Sequence, residues 1–412
     1  MIYLDNSATT PLAPEVLRAM LPFMEGEFGN ASSVYTLGSR ARVALEGARE
    51  TIARYINAEP REIVFTSGGT ESNNTAISGP IFHSHFAGKA WNEMSVVTGH
   101  AEHHAVLQPV EFLEKFGVHT RYADVDRTGH IMLESIGNKI DHKTLLVSCM
   151  MLNNEVGAIN PIREIVHLVK ERSSVLVHSD AVQALGKMRI DVKELGVDLL
   201  SLSAHKIHGP KGIGALYTRS GISWEPLMHG GAQERNRRGG TEAVALAVGF
   251  AEAIRLLPDS ETASDHFQTL RSYLLARLSE IPEIILNSAT DTTATDAIVN
   301  FSFVPDVLSK LDADSLLIRF DLEGIAISNG SACTSGSLQP SHVLLAMGLG
   351  KEVASKSVRV SFSRYNTKGD VDRFIEALRL NLDSCGRIPT SSSLPVHAHP
   401  NQGSDSSRIA IP

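Results

Sequence analysis

The chain has 412 residues, 42% of them hydrophobic, with 38 Lys and Arg against 46 Asp and Glu. At roughly 100–200 residues per domain this length predicts two or three domains, and the ordinary apolar and charged content excludes general disorder. A net charge of −8 offers no phosphate-seeking surface, so no nucleic-acid partner is expected, and three widely spaced cysteines without a CxxC pair exclude a disulfide framework and a zinc ribbon.

Met1-Ile2-Tyr3-Leu4-Asp5-Asn6 turns polar at once, which predicts no signal peptide. No apolar run approaches the ~20 residues of a membrane span, and the cysteine usage fits a reducing compartment, so a cytoplasmic protein is expected. Ile2–Leu4 reads as a short strand. Residues 36–57 carry Leu37, Val43, Leu45, Ala48, Ile52 and Ile56 at near-helical spacing. From residue 62 short apolar runs recur at 63–65, 95–97, 145–147, 175–177, 199–201 and 215–217, with helical stretches such as 162–172 and 242–257 between them. Strand and helix in alternation predict an α/β fold with a mainly parallel sheet covered on both faces. Ligands in that architecture sit at the carboxyl ends of strands. Pro258-Asp259-Ser260-Glu261-Thr262 interrupts the pattern, and helices are expected again near 267–280, 306–320 and 370–382. The expected organisation is an N-terminal segment (1–14) packing with the small domain, a large domain (15–260), a smaller α/β domain (261–385) and a Ser/Pro-rich disordered tail (386–412).

The polar residues that follow the apolar runs carry the chemistry. After 63–65 comes Thr66-Ser67-Gly68-Gly69-Thr70-Glu71, either a phosphate site at a helix start or simply a helix cap. No Lys-Ser/Thr follows the glycines, which excludes a P-loop. His100, His103 and His104 lack the HExxH spacing, so acid–base or ring-stacking work is favoured over metal binding. Asp180 ends another run, where it serves either as a helix cap or as a partner for a cation or an N–H donor. Lys206, in Ser203-Ala204-His205-Lys206-Ile207-His208-Gly209-Pro210, directly follows a buried strand and precedes a tight Gly/Pro loop. A lysine so placed, with an upstream Asp, a His and a phosphate-type helix start, suits pyridoxal phosphate chemistry.

These segments resemble the cysteine desulfurases of the nitrogen-fixation and iron–sulfur-cluster type, within the class V pyridoxal-phosphate-dependent aminotransferase family. Leu4–Pro11, Phe65–Asn74, Asn153-Asn154-Glu155-Val156-Gly157, Gly230–Thr241, Ser328–Gly336 and Val358–Tyr365 carry the resemblance, which spans about residues 1–383. It implies a fold type I pyridoxal-phosphate large domain, a smaller C-terminal domain, pyridoxal 5'-phosphate as cofactor and a homodimer. Lys206 would bind the cofactor covalently and move the substrate's Cα proton. Asp180 would face the pyridine nitrogen, and His103 would stack on the ring. Gln183 and Asn154 would contact the cofactor and substrate. Gly69, Thr70, Ser203 and His205 would hold the phosphate, with Thr241 from the other subunit. Arg359 would clamp the α-carboxylate of L-cysteine, a task suited to a planar guanidinium.

The resemblance makes Cys333, in Ser331-Ala332-Cys333-Thr334-Ser335-Gly336, the nucleophile that takes sulfur from L-cysteine as a persulfide and leaves L-alanine. It also implies an iron–sulfur scaffold or another sulfur-acceptor protein as partner, with Cys333 as a transient iron–sulfur ligand. Cys149 reads as a buried apolar filler and Cys385 as an incidental thiol at the tail. The competing readings are a selenocysteine lyase, another class V transaminase, and a non-catalytic scaffold. His100, His104, His178 and His208 carry no assigned role. Asn30-Ala31-Ser32-Ser33-Val34-Tyr35 and Ala232-Gln233 depart from the family pattern at positions that touch no proposed catalytic group.

Overall fold

The computed structural model describes residues 1–171, 174–258, 260–311, 313–329 and 339–385. Its strands are β1 (Ile2–Tyr3), β2 (Ile63–Thr66), β3 (Ser95–Gly99), β4 (His119–Ala123), β5 (Thr144–Ser148), β6 (Leu176–Asp180), β7 (Leu199–Ser203), β8 (Gly214–Thr218), β9 (Ile284–Leu286), β10 (Ile298–Phe303), β11 (Ile325–Ala326) and β12 (Val358–Ser361). The helices used below are α1 (Pro14–Glu25), α2 (Thr36–Tyr55), α3 (Gly69–Phe86) and α4 (His104–Glu114), later ones being named by residue range.

Seven strands form the main sheet in the order β2-β8-β7-β6-β5-β3-β4. Strands β7, β6, β5, β3 and β4 pair in parallel, and β8 runs antiparallel to both of its neighbours, as expected of a mainly parallel sheet. The apolar runs are continuous because both faces are covered. Their side chains alternate between two cores: Val96, Leu146, Leu199 and Leu216 on one face, Val97, Val147, Leu200 and Ala215 on the other. The helix Val244–Arg255 packs with α1 and α2 against the second face.

Departures from the expected elements have local causes. Strand β6 starts one residue late and runs on to Asp180, because its polar end is bonded inside the sheet rather than solvated: His178 reaches Ser148 Oγ at 2.8 Å and Ser201 Oγ at 3.0 Å. Strand β4 was not expected. It is a half-exposed edge strand, His-Thr-Arg-Tyr-Ala, with no apolar run to reveal it. The expected helix at 306–320 is two, Pro305–Leu308 and Ala313–Leu322, and the one expected at 267–280 spans Ser260–Ser279.

A second, three-stranded antiparallel sheet (β12-β10-β9) has its own core, where Phe320 and Phe374 stack with ring centroids 5.4 Å apart. Leu4 is wholly buried in that core, and β1 pairs in parallel with β11. The chain then leaves the small sheet: Ser7 N donates to Ser361 Oγ at 2.9 Å, while Thr10 N and Ala13 N donate to the carbonyls of His205 and His208. Residues 5–13 therefore bridge the small sheet and the loop after β7.

Candidate active site

The site forms where β2, β3, β5, β6 and β7 end and β12 comes up against them. Gly68, at φ +155°, turns the chain from β2 into α3, a conformation that favours glycine. Gly69 is required by close approach, since a Cβ there would lie 2.6 Å from Val182 Cγ2. That Cβ would also lie 3.6 Å from the Cβ of Ser203, so Gly69 and Ser203 are neighbours. Thr70 is exposed in the first turn, and Ser72 N makes the first backbone bond of α3, to Gly68 O. The N–H groups ahead of it point out of an 18-residue helix, a favourable place for an anion.

Asp180 ends β6 buried. Its Oδ1 accepts from Val182 N at 2.9 Å and its Oδ2 from Asn73 Nδ2 at 2.6 Å. Lys206 follows β7 and donates to the carbonyls of Ser7 and Ala8. Burial first, and then the Arg359 charge, bring its amine down to about 8, with Asp5 and Asp180 opposing. His205 is held by Thr9 Oγ1 at 3.0 Å, and burial together with Lys206 and Lys211 lowers it to about 4.

His103 caps α4, its Nδ1 accepting from Ala105 N at 3.0 Å. This leaves Nε2 as the protonated nitrogen of the neutral ring. Desolvation lowers its pKa; the Asp180 charge opposes that shift and the Lys206 charge adds to it, so the three residues share one electrostatic neighbourhood. Gln183 is buried, donating to Ser7 O at 2.8 Å and accepting from Lys187 through Oε1 at 3.1 Å. Arg359, buried on β12, donates to the carbonyl of Asn154 at 2.9 Å and to Asp5 Oδ1 at 2.6 Å.

The structure thus draws Lys206, Asp180, His103, Gln183, Asn154 and Arg359 around one space, with Gly69 and Ser203 at its α3 end. Thr241 is not among them: it is exposed and makes no hydrogen bond to this group. Cys333 lies outside the described residues.

The class-V aminotransferase family model matches residues 2–374, nearly all of the described chain. The chain belongs to the class-V aminotransferase family. A curated relative, "Cysteine desulfurase IscS" of Dictyoglomus turgidum, is 44% identical over 387 residues, covering 92% of this chain and 95% of its own. Among solved structures, a "NifS-like protein" superposes with a TM-score of 0.84 at 34% identity, covering 93% of this chain and 99% of its own. "SspA in complex with cysteine" superposes with a TM-score of 0.77 at 35% identity, covering 89% and 100%. The expected fold, a type I pyridoxal-phosphate large unit with a mainly parallel sheet, is borne out.

The cofactor of this member of the class-V aminotransferase family is pyridoxal 5'-phosphate. The residues present fit it. A buried carboxylate fixed by two N–H donors suits a protonated ring nitrogen, and the glycine that tolerates no Cβ leaves room beside the α3 N-terminus for a phosphate. One oxygen of Asn73 and one of Glu102 are buried without a partner, close to Asp180 and His103.

The unassigned histidines separate by environment. His178 is a neutral link between strands, lowered to about 3 by burial. His208, at φ +64°, anchors the Pro11 carbonyl at 3.0 Å and is lowered to about 4 by burial. His104 packs on His342 at 4.6 Å, and exposed His100 stacks on Tyr122. Among the described residues, no three His, Cys, Asp or Glu side chains converge to hold a metal ion. Cys149 is buried, and burial pushes its thiol well up, as its filler reading requires.

Sequence reasoning assigned no role to Asn73, Asp5 or Glu102. Glu102 accepts from Met150 N at 2.8 Å, and burial, reinforced by the Asp180 charge, raises its carboxyl well above the usual range. Each lies within or beside a quoted motif, but none shows its partner in the sequence. Among the described residues, no helix is long and apolar enough to cross a membrane.

Proposed function

We infer that this chain is a cysteine desulfurase: it removes the sulfur of L-cysteine, releases L-alanine and carries the sulfur as a persulfide on Cys333. The observation that supports the reading is the buried Arg359 guanidinium, near enough to Lys206 for its charge to lower the amine, a group suited to an amino acid's carboxylate. The relative named a cysteine desulfurase and the neighbour solved with cysteine support the same substrate.

Pyridoxal phosphate, when bound, supplies a carbonyl for the substrate amine and a ring that accepts electron density from Cα. The chain's own residues do the rest. Arg359 binds the carboxylate, which fixes Cα over Lys206. Lowered to about 8, Lys206 Nζ has a free-base fraction of about one tenth at pH 7, far above that of a solvated lysine, with which to take the Cα proton and return it. Asp180, its carboxylate kept in place by Asn73 and Val182 N, would hold the proton of the ring nitrogen. His103 would lie against the ring, with Nε2, the nitrogen that does not accept from Ala105 N, as its donor. The Cys333 thiolate forms an S–S bond to the substrate sulfur as the Cβ–S bond breaks. The carbon keeps that electron pair and takes a proton, so alanine and the persulfide together balance cysteine and thiol.

Gly69, Thr70, Ser203 and His205 would hold the phosphate, completed by Thr241 of a second copy in a homodimer. The persulfide sulfur passes to an iron–sulfur scaffold or another acceptor protein in the cytoplasm, Cys333 acting there as a transient iron–sulfur ligand. Alanine released from L-cysteine in the presence of a thiol tests the activity. Cys333→Ala is expected to abolish sulfur transfer while leaving the cofactor bound. Full transfer by that variant would overturn the reading.

A further inference from the structure

A cavity of about 490 Å³ lies behind the catalytic lysine, away from Asp180 and His103, and the function proposed above makes no use of it. Its size falls within the range of small-molecule sites, about 300–1,000 Å³. Six parts of the chain enclose it: the N-terminal stretch from Asn6 into α1, the loop after β6, the loop after β7, the chain leaving the helix Val244–Arg255, the helix Ser260–Ser279, and the stretch after β12. Leu257, Phe267 and Phe362 supply apolar wall.

Three of the charged groups lining it are cations. Lys187 Nζ donates only to the carbonyl and side-chain oxygens of Gln183, both at 3.1 Å. Arg364 donates to Leu256 O at 2.6 Å and to Tyr365 Oη at 3.0 Å. Lys206 donates to two carbonyls. Among the described residues none of the three has a carboxylate within ion-pair distance. The cavity's own carboxylate, Glu15, is paired with Arg18 at 3.2 Å. Burial, with Lys206 and Arg359 adding their charge, brings Lys187 down to about 7, as expected of cations crowded without a counter-ion.

We propose that this cavity is a second binding site for a small amphipathic carboxylate, its apolar body against Leu257, Phe267 and Phe362 and its anion between Arg364 and Lys187. Occupancy would reach the reaction centre through residues 6–10, since Asn6, Thr10 and Lys206 form one wall and Ser7 O is shared by Lys206 and Gln183. The site is independent of the reaction assigned above, and its failure leaves that assignment untouched.

The test is calorimetric titration of the pyridoxal-phosphate-loaded enzyme with 4-phenylbutyrate and, separately, with its uncharged amide. Saturable binding of the acid, at least tenfold tighter than the amide, is expected. Arg364→Gln and the space-filling Leu257→Trp should each weaken it at least tenfold, and Arg359→Gln should not weaken it. No saturable binding, equal binding of the amide, or loss confined to Arg359→Gln would overturn the proposal, the last by placing the probe in the substrate site. A crystal of the wild-type holoenzyme soaked in the acid gives a readout free of variant misfolding. Density between Leu257 and Arg364 supports the site, and density only elsewhere removes it.

Discussion

Arg359 and Asp5 lie 354 residues apart and meet in an ion pair, Nη2 to Oδ1 at 2.6 Å, in which the guanidinium is buried and the carboxylate partly so. The second guanidinium nitrogen is held by the Asn154 carbonyl at 2.9 Å, so the plane of the group is fixed before any substrate arrives. Orientation of this kind is what a lysine lacks, because its ammonium is a point charge. Arg359→Lys is therefore expected to raise KM for L-cysteine by ~10- to 100-fold, the loss of a charge-assisted bond of about 1.5–3 kcal/mol, with pyridoxal phosphate still bound. Steady-state kinetics beside the cofactor's absorbance checks it; an unchanged KM would remove Arg359 from the substrate.

Asn73 is expected to act through Asp180. Asn73→Ala strips the 2.6 Å bond from Oδ2 and leaves a buried carboxylate oxygen without a donor, at a cost of about 1–3 kcal/mol. Cofactor affinity should fall about tenfold or more on titration, and Asn73→Ser should recover part of it. Asp180→Asn, which removes the charge itself, should lower kcat far more than Asn73→Ala.

The amine of Lys206 sets a pH dependence. With its pKa brought down to about 8, the free-base fraction of the cofactor-free enzyme grows as pH rises through 8 and saturates near 9. The rate of pyridoxal phosphate uptake, measured by stopped-flow absorbance, should follow that curve. A solvated lysine would keep gaining up to its ordinary value of about 10.4. A rate still climbing steeply between pH 9 and 10 would contradict the burial argument.

His178 sets an acid limit on stability. Its folded pKa, about 3, lies below the ordinary histidine value, so between about pH 6.5 and 3 the unfolded chain binds the extra proton and stability falls with pH. The slope is about 1.4 kcal/mol per pH unit from this one ring. Denaturant midpoints across pH 4–7 should show it, and His178→Gln should flatten the slope by about one proton. His205 and His208, both lowered to about 4, add in the same direction and would persist in the variant.

Arg49 and Glu234 form a buried fork, 2.7 Å on each side, and Glu234 also accepts from Phe65 N at 2.9 Å. Glu234, Arg235 and Asn236 all have positive φ, at 46°, 60° and 64°, which costs energy for residues other than glycine. The fork holds that turn against β2. Arg49→Met leaves Glu234 buried without its partner and should destabilise the protein by about 3–5 kcal/mol, read as a lowered melting temperature. An unchanged melting temperature would show that the turn is held by something else.

The sequence determined the alternation of strand and helix, because runs buried on both faces are continuously apolar and need no context to be recognised. It also placed Gly69, Asp180 and Lys206 at strand ends, since glycines, an acid and a lysine directly after such runs are out of place in a plain fold. Strand β4 was not legible: an edge strand has one side in solvent and no apolar run to mark it. Nor were Asn73 against Asp180, Asp5 against Arg359, or the Ser7 carbonyl shared by Lys206 and Gln183. Those contacts join residues that periodicity cannot connect, because periodicity reports one element at a time. Only the tertiary structure decided them: the crossing of residues 5–13 from the small sheet to the end of β7 brings distant polar groups into one buried space, where each must find a partner.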